Sequence, residues 1–515
     1  CSGKPGARRL RRARARKKKK PKAPETCVHH AVCVERQKSS GYFFEKAYNG
    51  SMSGFREEKD SMGTVSVPSD RYYGAQTARA AENFRISSLR MPRPFLRALV
   101  LIKKAAALVH GELGLLEADA VRAIAAACDE AAEGRFDGDF PLDVYQTGSG
   151  TSWNMNVNEV IANRANEILG TGKGAKSPVH PNDTVNRGQS SNDVIPSAMN
   201  VAAACEALKL IDALQTLAEV FDAKAKEFAD VEKIGRTHLQ DAVPMTLGQE
   251  FSAFARQMTC GAHAVKEVLP RVTELALGGT AVGTGLNCDP RMPKAAAAKL
   301  SEWTKLPFKP ASNYFEAIGA RDSIVALSGV LNGIAVSLMK IANDLRLLSS
   351  GPRCGFAEIE LPSLQPGSSI MPGKVNPVIP ECVIQVCAAV MGKHVTISVG
   401  GQTGPLQLNM MMPLMAYEIL ESLSILTNAA DALAKKCVAG IKADREQCRK
   451  QIEWSLAMVT PLALKVGYDK AAQIAYAAYR ERITVREAAL KLTDILPQEL
   501  DALLNPRFLI NRETM

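Results

Sequence analysis

The sequence predicts a mainly α-helical protein organised around a long helix bundle, and three observations lead there. Hydrophobic residues make up 46% of the chain but aromatics only 5%, so Ala, Leu, Val, Ile and Met carry the apolar content, as in helix bundles. Five long helical stretches are expected near 194–230, 244–276, 315–350, 377–397 and 406–439. Within "LSGVLNGIAVSLMKIANDLRLL" (327–348) apolar residues recur at three- and four-residue steps, at Leu331, Ile334, Ala335, Leu338, Ile341, Ala342 and Leu345, which is the period of a helix face.

Residues 1–51 read as a basic extension. The first 50 residues carry 15 Lys and Arg against Glu25, Glu35 and Glu45, a net of +12, which leaves the other 465 residues near −1 of the total +11. The stretch "RRLRRARARKKKKPKAP" cannot bury a face and is expected to be disordered. An Arg-rich, acid-poor start suits a mitochondrial address, whereas four consecutive lysines and sparse serine do not. Met52 opens "MSGFREEKDSMG" and is read as the start of the working chain, so a nucleic-acid role for the extension is not expected. "CVHHAVC" at 27–33 has irregular spacing for a metal site, and the twelve cysteines include no CxxC pair, which fits reduced structural thiols in the cytoplasm.

Residues 52–188 read as an amino-terminal domain, with helical patterning over about 95–135 and 154–169 broken by the polar loops "QTGSGTSWNMN" and "HPNDTVNRGQSSND". Residues 189–445 hold the five long helices. Several are apolar on more than one face, which predicts burial on all sides by packing between subunits. Met410, Met411 and Met412 read as core filling. Residues 446–515 read as a small helical domain. No run of 18 consecutive apolar residues occurs, so no membrane span is expected.

The stretch "QPGSSIMPGKVNPVIPE" (365–381) superficially invites a phosphate-binding reading. Five residues rather than four separate Gly367 from Gly373, and Val375 stands where a P-loop needs Ser or Thr to hold magnesium. In "GTGKGAKS" (170–177) Ala175 replaces the required glycine. Neither is a nucleotide loop. Instead, three polar segments offer what a small dianion needs: donors at Ser149, Thr151, Ser191, Asn192 and Thr237, a cation at Lys374 with Asn376, and glycine-rich backbone that can approach an oxyanion. Among only seven histidines, His238 in "IGRTHLQDAVP" lies between a helix end and the next helix start.

The motifs "TGSGT", "HPND", "SSND", "GRTHLQDAVPMTLGQE", "GGTAVGTGLN" and "GSSIMPGKVNPV" together resemble the fumarase/aspartase superfamily, most closely class II fumarase, from about residue 56 onward. The resemblance implies a three-domain fold whose five long helices build a twenty-helix core in a homotetramer, with each active site shared by three subunits. It implies reversible hydration of the dicarboxylate fumarate to (S)-malate without metal or organic cofactor. Ser368 would be the general base forming an aci-carboxylate, stabilised by Lys374 and loop amides. His238 would act through a bound water, with Glu381 as its charged partner. Substrate would be held by Ser149, Gly150, Thr151, Ser190, Ser191, Asn192, Thr237, Ser369, Lys374, Val375 and Asn376, and a second anion site by His180, Pro181, Asn182 and Asp183. The alternative within the superfamily is aspartate ammonia-lyase, whose motifs typically carry Gln, Ala and Asn where this chain has His238, Gly373 and His180. Trp153 departs from the pattern, where a smaller residue is expected.

Overall fold

The computed structural model describes residues 54–510. The basic extension, with its readings as transit peptide or nucleic-acid arm, and "CVHHAVC" lie outside the described residues. The chain enters through an antiparallel hairpin, β1 (Phe55–Asp60) and β2 (Gly63–Pro68). Helices α1 (Ala75–Asn83), α2 (Arg93–Glu112), α3 (Ala118–Glu133) and α4 (Thr151–Ile168) follow. The pattern at 95–135 thus splits in two, because Gly114 takes a positive φ and Gly134 caps α3 in the left-handed region. Glu159 on α4 anchors the start of α1, accepting from the backbone N–H groups of Gly74, Gln76 and Thr77 at 2.9, 2.9 and 3.1 Å.

Five helices then form the bundle: α5 (Ser191–Glu227), α6 (Leu247–Val272), α9 (Asp322–Leu348), α10 (Val378–Gln402) and α11 (Met412–Lys436). Helix α5 packs on α6 and α11, α9 on α6 and α10, and α10 on α11. All seven residues of the expected apolar face of α9, from Leu331 to Leu345, are buried. Phe221 on α5 meets Phe251 and Phe254 on α6 edge-on, at centroid distances of 6.0 and 5.6 Å. Between α6 and α9 run β5 (Glu274–Leu275), α7 (Met292–Thr304), β6 (Lys309–Pro310) and α8 (Tyr314–Gly319).

The sequence reading placed only a helix-to-helix connection around His238, and here the structure differs. Residues Glu232–Thr237 and Gln240–Thr246 pair as an antiparallel hairpin, β3 and β4. A further short pair, β7 (Ile359–Glu360) and β8 (Lys442–Ala443), lies beyond α9. Helices α12 (Arg445–Trp454), α13 (Thr460–Val466), α14 (Tyr468–Glu481), α15 (Val485–Leu492) and α16 (Pro497–Leu503) close the chain. They build a second, smaller core from Ile452, Met458, Leu462, Ile474 and Leu500, to which β3 contributes Ile234.

Three bundle helices, α5, α9 and α10, are long and apolar enough to cross a membrane by length and composition alone. Their apolar windows escaped the sequence count because isolated polar residues interrupt them. The protomer buries 78% of that window in α5, but 44% in α9 and 22% in α10. Polar pairs cross the middle of α10, with Lys393 bonded to Glu418 at 2.6 Å and His394 to Ser328 at 2.9 Å. Of the three clustered methionines, Met412 is core as expected, Met411 is half-buried and Met410 is half-exposed.

His110 on α2 is buried with Nδ1 unpartnered. Burial, reinforced by the nearby Arg187 charge, pushes its pKa down to about 4. The unfolded chain therefore takes up this proton first as the pH falls below about 6.5, and the folded state loses stability from there to about pH 4. Relative to a His110→Gln variant, the wild-type Tm should drop across that window and hold constant above it; parallel Tm curves for the two proteins would exclude the effect.

Candidate functional site

The first cluster forms where α4 and α5 begin. Ser190 caps α5 in a capping box: its Oγ accepts from Asn192 N at 3.2 Å, while its own N–H donates to Asp193 Oδ1 at 2.9 Å. Asp193 is fully buried, and its other oxygen accepts from the N–H groups of Gly278 and Thr280 at 2.9 and 3.0 Å. Burial raises its pKa to about 6, opposed by these backbone donors and by Lys103. One carboxylate thereby ties "SSND" to "GGTAVGTGLN".

Beside it runs a file of hydroxyls: Ser149 Oγ lies 2.9 Å from Thr151 Oγ1, which lies 2.8 Å from Ser191 Oγ. Gly150 turns the chain at φ +71°, and a Cβ there would meet Ile195 at 2.9 Å. Gly148 presses on the Met410 carbonyl, where a Cβ would come within about 2 Å of the oxygen. Asn192 already donates to the Ala281 carbonyl at 2.8 Å. Ser149, Gly150, Thr151, Ser190, Ser191 and Asn192 thus gather in one place, at helix N-termini whose dipoles favour an anion.

The remaining expected residues are elsewhere. Thr237 and His238 occupy the tip of the β3–β4 hairpin, both exposed; positive φ at His238 (+56°) and Leu239 (+58°) makes the two-residue turn. The "GSSIMPGKVN" loop is closed on itself: Gly367 N donates to the Lys374 carbonyl at 2.9 Å and Asn376 Nδ2 to the Gly367 carbonyl at 2.7 Å. Ser368 Oγ accepts from Met371 N at 3.0 Å and Ile370 N at 3.3 Å. Ser369, Lys374 and Val375 are exposed on this loop, and Glu381 sits in the first turn of α10.

Helix α5 separates these groups. Its 37 residues span about 55 Å, with Ser190–Asn192 at its start and the hairpin just past its end. Helix α10 ends beside the start of α9, where a Cβ on Gly401 would touch Val325, so the loop preceding α10 lies at the hairpin end. One protomer therefore holds the hydroxyl cluster at one end of the bundle, and the hairpin and the "GSSIMPGKVN" loop, the flap, at the other. Among the described residues, no ion pair joins His238 to Glu381 within the protomer.

A protein-family model described as "Lyase" matches residues 63–392, and one described as "Fumarase C C-terminus" matches residues 458–511. A "Fumarate hydratase class II" of Neisseria meningitidis is 49% identical over 457 residues, covering 88% of this chain and 99% of the relative. The chain belongs to the class II fumarase family. The human "Fumarate hydratase, mitochondrial" is 50% identical over 460 residues, 89% of this chain and 90% of its own. The crystal structure of class II fumarase from Schistosoma mansoni superposes with a TM-score of 0.85 at 42% identity, covering 88% of this chain and 98% of that one.

Trp153 is fully buried and packs on Phe95 with ring centroids 5.1 Å apart. His180 opens the helical turn Pro181–Val185, and its Nδ1 accepts from the N–H groups of Asn182 and Asp183 at 3.2 Å each. The second-site motif is thus a capped turn, with Pro181 buried and Asp183 turned to solvent. Among the described residues, no group of three or more His, Cys, Asp or Glu could hold a metal ion.

Sequence reasoning missed Lys103. It is fully buried, and its ammonium donates to Asn186 Oδ1 at 2.8 Å and Gln189 Oε1 at 3.0 Å, beneath the Ser190–Ser191 corner. Burial pushes its pKa down to about 7, against the pull of Asp193. Asn154 and Asn158 also donate to Asn186 Oδ1, at 3.1 and 3.2 Å. A signal existed, since Leu99, Ala106 and Ala107 put Lys103 on the apolar face of α2.

Asp193→Ala would leave the N–H groups of Ser190, Gly278 and Thr280 without their carboxylate. Each unpaired buried donor costs roughly 1–3 kcal/mol; thermal or urea unfolding should register a loss of at least about 2 kcal/mol, and an unchanged midpoint would contradict the assigned anchor.

Proposed function

We propose that the chain hydrates fumarate reversibly to (S)-malate, as a homotetramer whose active sites each combine segments from three copies. The single observation carrying the reaction is the match to fumarate hydratases along nearly nine-tenths of the chain, with His238, Gly373 and His180 standing where aspartate ammonia-lyases differ. The assembly reading rests on two features. The hydroxyl cluster and the hairpin lie at opposite ends of α5, so one protomer cannot close a four-carbon site. The outer faces of α9 and α10 also leave Val336, Val395 and Val399 between 46% and 62% exposed, and other copies cover them. Lipid is the poorer occupant, because Lys393 and His394 interrupt α10.

Chemistry follows from the groups available. Removing a proton from the carbon beside a malate carboxylate spreads extra negative charge over that carboxylate, so donors must meet the developing oxyanion. Ser368 is the base: the N–H groups of Met371 and Ile370 aim at its Oγ, stabilise an alkoxide there and lower the cost of forming it. Lys374, on the same loop, supplies the cation, while Ser369, Val375 and Asn376 complete that side. His238, exposed at the hairpin tip with Thr237 beside it, transfers the proton at the leaving hydroxyl through a water, with Glu381 of the assembled site holding its charge. Ser149, Gly150, Thr151, Ser190, Ser191 and Asn192 bind the substrate carboxylates. His180, Pro181, Asn182 and Asp183 form an entrance anion site.

The compartment is read as the cytoplasm, with the mitochondrial matrix as the alternative if residues 1–51 act as an address.

Malate added to purified protein should raise the ultraviolet absorbance of fumarate. No signal with malate, together with ammonia release from aspartate, would shift the assignment to aspartase. His238→Asn should lower kcat by about 10²–10⁴-fold with an unaltered circular dichroism spectrum; full turnover would remove His238 from the mechanism. Light scattering should report a mass of four chains, and a stable monomer with activity would overturn the shared-site reading. Residues 1–51 fused to a fluorescent reporter should leave it cytoplasmic, and mitochondrial fluorescence would select the matrix.

A further inference from the structure

A buried ion network joins the hairpin that carries His238 to the strand that launches the flap carrying Ser368. At its centre is Glu358, fully buried immediately before β7. Its Oε2 lies 2.9 Å from Lys233 Nζ and its Oε1 2.8 Å from Arg236 Nη1. Both cations belong to β3. Lys233, itself buried, also pairs with Glu250 of α6 at 2.7 Å. Burial alone would lower the Lys233 pKa, but the two carboxylates outweigh it and raise it, so the ammonium stays charged.

Arg236 spends its remaining reach on the segment leading to Glu358. Its guanidinium stacks over Phe356 at 4.2 Å, and Nη2 donates to Gln451 Oε1 at 2.6 Å. Gln451 in turn donates to the Phe356 carbonyl at 2.6 Å. The Glu358 backbone is fixed as well: its N–H donates to the Leu348 carbonyl at the end of α9, and its carbonyl accepts from Asp444 N, both at 2.9 Å. The hairpin meets this carboxylate directly, α9 meets its backbone, and α6 and α12 are tied in through Lys233 and Arg236.

The stability case for such a site is weak, since buried ion pairs often gain little over a well-packed apolar core. Its geometry is specific instead. Only one residue separates Arg236 from His238, and nine separate Glu358 from Ser368. From this geometry we propose that Glu358 is a positioning residue for the reaction, fixing the imidazole-bearing hairpin and the serine-bearing flap of its protomer to one anchor, from which each reaches into a shared site. The inference rests on the roles proposed above for His238 and Ser368.

Glu358→Gln keeps the shape and removes the charge, leaving Lys233 and Arg236 to share a neutral amide. In the assembled enzyme kcat should fall about a hundredfold, KM for malate should change little, and Glu358→Asp should restore part of the loss. Hydrogen exchange should accelerate together over 232–246 and 361–377 while α5 keeps its protection. A merely structural carboxylate would lower Tm without that joint change. Should Glu358→Gln fail to assemble, Arg236→Lys decides the matter, because it keeps the charge but gives up the fork to Gln451 and the stack on Phe356; the same pattern is expected. Wild-type kcat in the assembled variant, or faster exchange in only one of the two segments, overturns the proposal. His238→Asn is run in parallel: if it lowers kcat while Glu358→Gln does not, the anchor fails and the catalytic reading stands, whereas an unaffected His238→Asn removes the reading itself.

Discussion

The uninterrupted length of α5 is the constraint on which the other features depend. Thirty-seven residues in one helix fix the distance between the hydroxyl cluster at its first turn and the hairpin after its last. The first half of that helix is buried nearly all round, α6 and α11 pack against it, and its capping box starts it at a defined residue. A shorter or kinked α5 would change which segments face which end of the bundle. On the assembly proposed above, the separation leaves an isolated protomer chemically incomplete, and the uncovered faces of α9 and α10 are where other copies pack.

Much of this architecture was readable from periodicity. The α9 stripe emerged residue by residue because a 3.6-residue repeat needs only local information. The hydroxyl cluster was foreseen as a set of residues, since Ser, Thr, Asn and Gly between apolar helices stand out by composition. The β3–β4 hairpin was not. Its strands are short, Gly235 and Pro244 dilute any alternation, and only Ile234 faces the small carboxy-terminal core. What holds the hairpin is charge, and Lys233 and Arg236 look like surface residues until a carboxylate more than a hundred positions away is placed between them. Lys103 escaped for the same reason: a buried cation has no signature without its distant acceptors.

Burial and function are linked throughout by polar groups inside the protein. Asp193, Lys103 and Glu358 each lie beneath a segment proposed above to meet substrate rather than in that surface itself. Each satisfies backbone or side-chain partners from at least two elements, so the cost of burying it is offset by donors and acceptors fixed in place. The more exposed groups, Ser149, Thr151, His238 and Lys374, are therefore displayed on fixed supports even where they sit on loops and turns.

The flap closes through bonds made almost wholly within itself, from Gly367 to Lys374 and from Asn376 back to Gly367. Those bonds keep the Ser368 hydroxyl and the Lys374 ammonium on one closed turn of chain. On the roles proposed above, the base and its counter-charge therefore come as a pair, and displacing this turn would remove both together.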